Sequence, residues 1–348
     1  MSTPFIGFPQ ISNPRQNYHG VPLPYVTVDE ICDATAAGEN VEVIEQDVVQ
    51  LESDLLRVRR VVVSLEATVL IYQSTNRGVR SRAAFRTGLM GGVAFGPQAK
   101  GTINGMLIRP HHILVAAEDT VCEFVVQGGY ESVTVGVPPI NFGAHLRARR
   151  LWHRLQPQRA MNLLDCDEKK ARAFFSFGRR LADAAAHHAR LFEENKEVRA
   201  AAQIELMELF LDAIGSSEGH EVSRPDNTRR AHSHVVQLAE EWALTRNDYP
   251  IYVADLCKAA GVSERTLEYA FQEILAMTPV AFLRRLRLHR VRRALRVGTP
   301  KTTTVSAEAL KWGFWHFGDF SRAYKNCFGE TPSHTLRREL RQSQLVSK

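Results

Sequence analysis

Basic side chains crowd into one stretch of the chain and give it the chemistry to bind phosphate. No acidic residue occurs between Phe282 and Lys301, whereas eight basic residues do: Arg284, Arg285, Arg287, Arg290, Arg292, Arg293, Arg296 and Lys301. Guanidinium and ammonium groups pair well with phosphate oxygens. The alternative for this run is a solvated helix face.

The charge balance along the chain agrees with phosphate binding. Residues 229–348 hold 20 Lys and Arg against 11 Asp and Glu, a balance of +9, while residues 1–228 hold 24 against 27, a balance of −3. A basic part joined to a slightly acidic remainder is typical of a protein in which one domain binds nucleic acid. Nucleic acid is therefore the leading candidate partner.

Histidine and cysteine residues are spaced poorly for metal binding or catalysis. His111 and His112 are adjacent, which on a strand would send them to opposite faces, and His187 and His188 are adjacent on a predicted helix. The five cysteines, predicted to be reduced and mostly buried, form no Cys-x-x-Cys pair: Cys32, Cys122, Cys166, Cys257 and Cys327. Nucleophile-elbow, phosphate-loop and dinucleotide motifs are missing from the sequence. We expect no metal, no cofactor and no enzymatic activity.

Length and composition indicate a multidomain protein. The 348 residues suggest two or three domains, and 44% apolar with 24% charged residues is ordinary for a globular chain. No run approaches the ~20 apolar residues of a membrane-spanning helix. Residues 1–10 lack the features of a secretory signal, so we expect a cytoplasmic protein without membrane contact.

The first 140 residues are predicted to form an antiparallel β domain. Short Val-, Ile- and Phe-rich runs between residues 41 and 137 alternate with turn signals every 8 to 15 residues. An irregular arm and a short helix at 28–36 are expected before them.

Residues 141–214 have helical periodicity with a break near Asn195. Apolar stripes on the two predicted helices would either cover the β domain or form the seam of a homodimer: Phe174, Phe177, Leu181 and Ala185 on the first, and Ile204, Met207, Phe210, Leu211 and Ile214 on the second. Residues 215–230, rich in Gly, Ser and polar side chains, are interpreted as a linker. Residues 231–340 then form an all-α domain.

This last domain repeats itself. Gly261-Val262 corresponds to Gly313-Phe314, and from Phe271 onward the offset is a constant 53 residues, as in Thr278-Pro279 and Thr331-Pro332. Each copy has the layout of a helix-turn-helix, with a glycine turn between a short helix and a second helix. A long basic helix at 279–297 joins the copies.

The second helix of each copy presents a polar face. The outward positions are Glu264, Arg265, Glu268, Tyr269 and Gln272 in the first copy, and His316, Phe317, Asp319, Arg322 and Lys325 in the second. Such faces suit the major groove of DNA. Two units about 34 Å apart could read successive groove segments, which predicts a bipartite operator in double-stranded DNA.

Residues 232–340 resemble the AraC/XylS family of transcription regulators. The resemblance is carried by Leu256, Ala260-Gly261-Val262-Ser263, Arg265-Thr266-Leu267, Phe271, Pro279, the stretch 286–295, Gly313-Phe314, the stretch 320–325, Phe328-Gly329 and Pro332. The run 312–318 and the N-terminal layout look most like the ethanolamine-utilisation regulator subgroup.

The resemblance implies a seven-helix DNA-binding domain and a cupin-like N-terminal domain that senses an effector or dimerises. By position, base reading is assigned to Arg265, Glu268 and Tyr269 and to Phe317, Gly318 and Arg322. Since Phe317 and Gly318 offer no side-chain hydrogen bond, the second unit is expected to contribute shape and phosphate contacts. The remaining expected DNA-binding residues are Ser263, Thr266, Arg284, Arg285, His316, Asp319 and Lys325.

The leading hypothesis is an effector-responsive transcription activator that works with RNA polymerase. Tyr72, Phe95 and Phe124 are the candidate walls of the effector pocket, and the alternative is that they are ordinary core residues. An amino alcohol or a cobalamin-type ligand is what the subgroup implies. Two alternatives stay open: a regulator whose N-terminal domain only dimerises or binds a protein, and a cupin-type enzyme fused to a DNA-binding module.

Overall fold

The computed structural model describes residues 24–38, 43–86, 88–151, 161–217, 224–245 and 251–337. The expected N-terminal arm falls largely outside these residues. Within them, the chain forms two antiparallel sheets followed by helices, as expected for an α+β protein. No helix among them is both long enough and apolar enough to cross a bilayer.

The strands of the N-terminal part form two sheets that face each other. Their bounds are β1 Val26–Ile31, β2 Ile44–Gln50, β3 Val58–Ser64, β4 Val69–Thr75, β5 Val79–Phe85, β6 Met90–Phe95, β7 Gly101–Ile103, β8 Met106–Leu107, β9 His112–Ala116, β10 Cys122–Val126, β11 Tyr130–Val137 and β12 Asn162–Asp165. One sheet has the order β1-β3-β4-β11-β6-β9-β12, and the other has the order β2-β5-β10-β7-β8. Every pairing is antiparallel.

Alternation along the strands separates two cores. On β3, Val61 and Val63 belong to a core that also contains helical residues, whereas Val58 belongs to the core between the sheets. A period of two explains this, because successive side chains on a strand point to opposite faces. The seven-stranded sheet is therefore covered on both faces.

Helices follow the strands. Their bounds are α1 Pro139–Ala148, α2 Glu168–His187, α3 Ala189–Glu194, α4 Lys196–Gly215, α5 Arg224–Thr245, α6 Val253–Ala260, α7 Glu264–Leu275, α8 Pro279–Val297, α9 Val305–Lys311 and α10 Phe317–Phe328. The side chain of Asn195 caps α4 by accepting from the backbone N–H of Val198. The predicted break at Asn195 is confirmed, and a second break occurs at His188.

The apolar stripes of α2 and α4 pack on the seven-stranded sheet. Phe174 and Phe210 are fully buried with ring centroids 5.2 Å apart. Gly92 lets α4 approach, since a Cβ there would lie 2.3 Å from the ring of Phe210. Most of the predicted stripe is thus internal core, although Ile204 is 65% exposed and lies outside it.

Two expected elements differ in the structure. The segment 28–36 is not a helix: its first part belongs to β1, which pairs with β3, and only Ala34–Ala36 forms a 3-10 turn capped by Asp33. Its β-branched residues and alternating exposure favour a strand. Helix α5 also begins at Arg224, inside the stretch interpreted as a linker.

Helices α5 to α10 enclose two small cores that share α8. Leu283 and Leu286 belong to the core formed with α5, α6 and α7, while Leu288 and Val291 belong to the core formed with α9 and α10. Helix α8 is therefore the structural axis of the C-terminal domain.

The C-terminal helices lie against the outer face of the five-stranded sheet. Val49 and Val125 from this sheet join the core built around Val236 of α5 and Phe271 of α7. Arg80 on β5 forms fully buried ion pairs with Glu123 on β10, at 2.8 Å, and with Glu240 on α5. The two domains are thus joined by an apolar contact with a buried charge cluster.

Candidate nucleic-acid interface

The first helix-turn-helix is built as the sequence predicts. Gly261 ends α6 with φ of 67°, a left-handed conformation that suits glycine, and the Ser263 hydroxyl accepts from the backbone N–H of Thr266 to cap α7. Leu267 and Phe271 are fully buried and fix α7 to the domain. The turn and the cap together determine which face of α7 is turned outward.

The outward face of α7 carries a restrained arginine. Arg265, Glu268 and Tyr269 are exposed. The Arg265 guanidinium lies 5.5 Å from the centroid of the Tyr269 ring, and its Nη2 donates to the Tyr269 hydroxyl over 3.4 Å. Arginine is the side chain best suited to the O6 and N7 acceptors of guanine. This face has the composition of a base-reading surface.

The second unit ends in an exposed helix of a different character. Helix α10 begins at Phe317 after the Gly313 turn, whose φ is 78°. The side chains expected to face outward are all exposed: His316, Phe317, Asp319, Arg322 and Lys325. Asp319 and Arg322 form an ion pair of 3.3 Å, so two of the charged groups on this face already contact each other.

Trp315 is a surface residue that the sequence interpretation missed. Its side chain is 74% exposed just before α10, close in sequence to exposed Phe317. Exposed aromatic side chains at a helix start suit apolar contact with thymine methyl groups. The aromatic run 312–317 was the available signal.

Helix α8 does not present its basic residues as one DNA-binding stripe. Arg284 is exposed, but Arg285 donates from Nη1 to the carbonyl of Glu52 on the β domain at 2.9 Å. Other side chains of this helix contact the protein itself: Arg287 the carbonyl of Ile251, Arg290 that of Ala243, Arg292 the carboxylates of Asp33 and Glu330, Arg293 that of Asp47, and Arg296 Thr35. Arg285 thus joins the C-terminal domain to the β domain. Most of the basic side chains of α8 hold parts of the protein together rather than forming a free phosphate-binding surface.

Comparison with known proteins places the C-terminal helices in a family. Residues 256–338 match the model described as "Helix-turn-helix domain". A "Probable thc operon regulatory protein" of Rhodococcus erythropolis is 36% identical over 103 residues, which are 30% of this chain and 31% of that protein. A XylDLEGF operon transcriptional activator of Pseudomonas putida is 33% identical over 128 residues, 37% of this chain and 38% of that protein.

A solved structure adds a relative matched over nearly its whole length. The crystal structure of a probable AraC family transcriptional regulator from Rhodopseudomonas palustris CGA009 shares 40% identity, covering 30% of this chain and 95% of that one, with a TM-score of 0.28. The C-terminal region is an AraC-family helix-turn-helix domain. The chain spans about a third of the two curated relatives described above, both named as regulatory proteins rather than enzymes.

The β domain attached to this AraC-family domain has a half-open cavity of about 80 Å³ between its two sheets. Phe124 lines it. Phe95 is buried in the same core beside Tyr130 but is not part of the lining, and Tyr72 lies on the opposite face of its sheet, in the core beneath the helices. Burial and a 2.6 Å hydrogen bond to Glu131 raise the pKa of Tyr72 to about 12.

A histidine pair lies elsewhere in the β domain. The expectation that His111 and His112 point to opposite faces is wrong, because β9 begins only at His112, and the two rings meet edge to face at 4.8 Å. With Asp165, whose Oδ1 is 3.3 Å from Nε2 of His111, they form the one such group of three in the described residues that could hold a metal. Burial, aided by His111, lowers the pKa of His112 to about 4, so this imidazole is neutral.

Proposed function

We propose that the chain is a sequence-specific DNA-binding transcription activator that reads a bipartite operator with α7 and α10. The supporting observation is the pair of exposed second helices, each attached through a buried apolar face to a shared α8. Arg265, Glu268 and Tyr269 would read bases in one half of the operator. Phe317, Gly318 and Arg322 would read the other half with more shape and apolar contact.

Around these readers, a second set of residues would bind the DNA backbone. Ser263, Thr266, Arg284, His316 and Lys325 have positions near the two helices that suit this role. Asp319 would contribute indirectly, because its carboxylate pairs with Arg322 and cannot donate to phosphate. Arg285, because it reaches Glu52, would act on DNA only indirectly. RNA polymerase would be the protein partner of such an activator, in the cytoplasm.

The test is selection of a bound sequence by the full-length protein from random duplexes at two salt concentrations. Two enriched blocks about one helical turn (~34 Å) apart are expected if both helices enter the major groove. Enrichment of a single sequence block would mean that only one of the two helix-turn-helix units reads bases. Equal recovery of all sequences would overturn sequence-specific function.

We also propose that the β domain binds a small-molecule effector in its cavity. Residues 312–318 resemble the ethanolamine-utilisation regulator subgroup. Membership of this subgroup would imply that the effector is an amino alcohol or a cobalamin-type ligand. A cavity of about 80 Å³ is far smaller than a cobalamin, and the buried cation Arg60 in its wall disfavours an ammonium group. The cavity therefore favours another class of ligand.

A further inference from the structure

Three side chains that can bind metals meet where β12 ends. Asp165 lies opposite His112 in the antiparallel pairing of β12 with β9, and His111 directly precedes β9. The backbone N–H of Cys166 donates to the carbonyl of His111 at 3.1 Å, which adds one more bond between the two chain segments. Strand pairing therefore places one carboxylate beside two imidazoles from an earlier part of the chain.

These three side chains have nearly the spacing of ligands around one zinc ion. Nε2 of His111 is 3.3 Å from Oδ1 of Asp165. One ring nitrogen of each histidine and one carboxylate oxygen of Asp165 all lie within 4.8 Å of one another. Ligand atoms bound at ~2.0–2.2 Å in a tetrahedral site are roughly 3.3–3.6 Å apart. His111 and Asp165 already have this spacing, and a shift of about 1.5 Å or less brings in His112.

The ring of His112 is held in place by its surroundings. His112 is 4% exposed, and its Nδ1 lies 3.1 Å from the carbonyl oxygen of Leu107. A carbonyl oxygen only accepts, so Nδ1 carries the proton and the lone pair of the neutral ring is on Nε2. A histidine that binds a metal commonly donates its other ring N–H to a backbone carbonyl in this way. The side chains of His111 and Asp165 are partly exposed and can adjust to an ion.

The donor atoms favour a transition metal. Mg²⁺ and Ca²⁺ prefer sites made of oxygen ligands, whereas Zn²⁺ takes imidazole nitrogen and carboxylate oxygen together. Zinc sites with three protein ligands keep a fourth position for water. Solvent can reach this position, because His111 and Asp165 are partly exposed.

We propose that His111, His112 and Asp165 bind one Zn²⁺ ion, with water as the remaining ligand. The ion ties the start of β9 to the end of β12. Two residues further on, the side chain of Asp167 caps α2 by accepting from the backbone N–H of Lys170. Bound zinc therefore stabilises the junction between the seven-stranded sheet and α2. The three ligands are not part of the lining of the cavity between the sheets, so this site is separate from the effector site proposed above.

The test uses the full-length protein without a histidine tag, stripped of metal with a chelator and titrated with Zn²⁺ by isothermal calorimetry. One zinc ion per chain is expected to bind and to remain bound through gel filtration, as measured by elemental analysis. Mg²⁺ at the same concentration should neither bind nor displace zinc, because the site offers two nitrogen ligands. Failure to bind zinc, or equal binding of Mg²⁺, would overturn the proposal.

Two variants test the ligands. His111→Ala and Asp165→Asn should each weaken zinc binding by at least about tenfold, since even the loss of a residue that only supports a metal ligand costs about that much. The matched control replaces the exposed adjacent pair His187 and His188 with Ala, and it should keep the affinity of wild type. If the three side chains form only a hydrogen-bonded group, both ligand variants bind zinc as wild type does.

X-ray absorption at the zinc edge of the wild-type protein decides the ligand set even if a variant fails to fold. The expected spectrum shows imidazole nitrogen and oxygen ligands at ~2.0–2.2 Å. A sulfur ligand at ~2.3 Å would assign the ion to a cysteine and overturn the proposed site. Neither result depends on DNA binding, so the zinc site and the regulatory role are tested separately.

Discussion

Arg265 is held in place before DNA arrives. Its guanidinium lies over the Tyr269 ring and donates to the Tyr269 hydroxyl, and both side chains are carried on a helix whose other face is buried. A side chain that is already ordered loses less entropy on binding than a free one. We therefore expect Arg265 to contribute base discrimination rather than only charge.

Arg265→Ala should relax preference at one base position of the selected operator. A bidentate arginine–guanine contact is worth about 1–3 kcal/mol of discrimination between bases. The affinity of the variant for the selected operator should therefore fall to nearly its affinity for an operator in which that one base pair is changed. Fluorescence anisotropy with the selected duplex and its single-base variants measures this. An equal loss on operator and random DNA would contradict base reading by Arg265.

Lys325→Ala is the matched control on α10. Lys325 is exposed, and an ammonium group serves chiefly as a point charge for phosphate. Its removal should weaken binding to all sequences alike and lower the slope of log K against log salt by about 1. A change confined to one base position would instead make Lys325 a base reader.

Individual side chains were only partly predictable from the sequence. The outward faces of α7 and α10 follow from helical periodicity and are exposed as expected. Arg285 and Arg292 could not be assigned in this way, because their partners, Glu52 and Asp33, lie more than 200 residues away in sequence. Asp165 likewise joins the two histidines only through the pairing of β12 with β9.

At the level of elements, the turn before α7 depends on glycine. Gly261 has φ of 67° and Gly313 has φ of 78°, so both copies use the same left-handed link between helices. The α8 bounds match the sequence expectation of 279–297, since Pro279 begins this helix and Gly298 caps it. Segment 28–36 was misassigned because strand pairing with β3 is not visible in a local pattern.

Gly261→Ala should destabilise the C-terminal domain by about 1–2 kcal/mol, since a Cβ is disfavoured in the left-handed region. Gly318→Ala is the control, because Gly318 lies in the first turn of α10 at ordinary φ with open space around its Cα. It should leave stability unchanged or raise it by up to about 1 kcal/mol. Urea unfolding of the full-length variants measures both, and equal effects would contradict the role given to the turn.

At the level of the whole molecule, the two domains share a buried charge cluster. Arg80 is paired with Glu123 of its own sheet and with Glu240 of α5, and all three side chains are buried. Burial and the neighbouring Glu123 raise the pKa of Glu240 to about 7, against the attraction of Arg80. Arg82 and Asp47 face the same cluster.

A raised pKa makes the folded protein bind a proton that the unfolded chain releases. Glu240 therefore contributes stability that is fully present below its ordinary pKa of 4.5 and is lost as pH rises through about 7. We expect the free energy of unfolding of wild type, relative to Glu240→Gln, to fall as pH rises from 4.5 through 7 and to level off only well above pH 7. Urea unfolding across this range measures the difference.

Glu241→Gln is the control for this titration. Glu241 pairs with Arg82 at 2.7 Å, but its side chain is 43% exposed, so solvent screens its charge. The variant should follow the pH dependence of wild type. If Glu240→Gln also follows wild type throughout, the cluster does not titrate with folding.

The shared cluster also restricts how this protein can be recombined. Joining this β domain to the helix-turn-helix domain of another regulator would keep Arg80 and discard Glu240, leaving a buried guanidinium short of one carboxylate. Hybrids cut within 218–223 should therefore express poorly unless the incoming helix supplies an acidic residue at the position of Glu240. Exchanging α5 together with β5 and β10 keeps the charges matched, which makes these three elements the natural unit for building hybrid regulators.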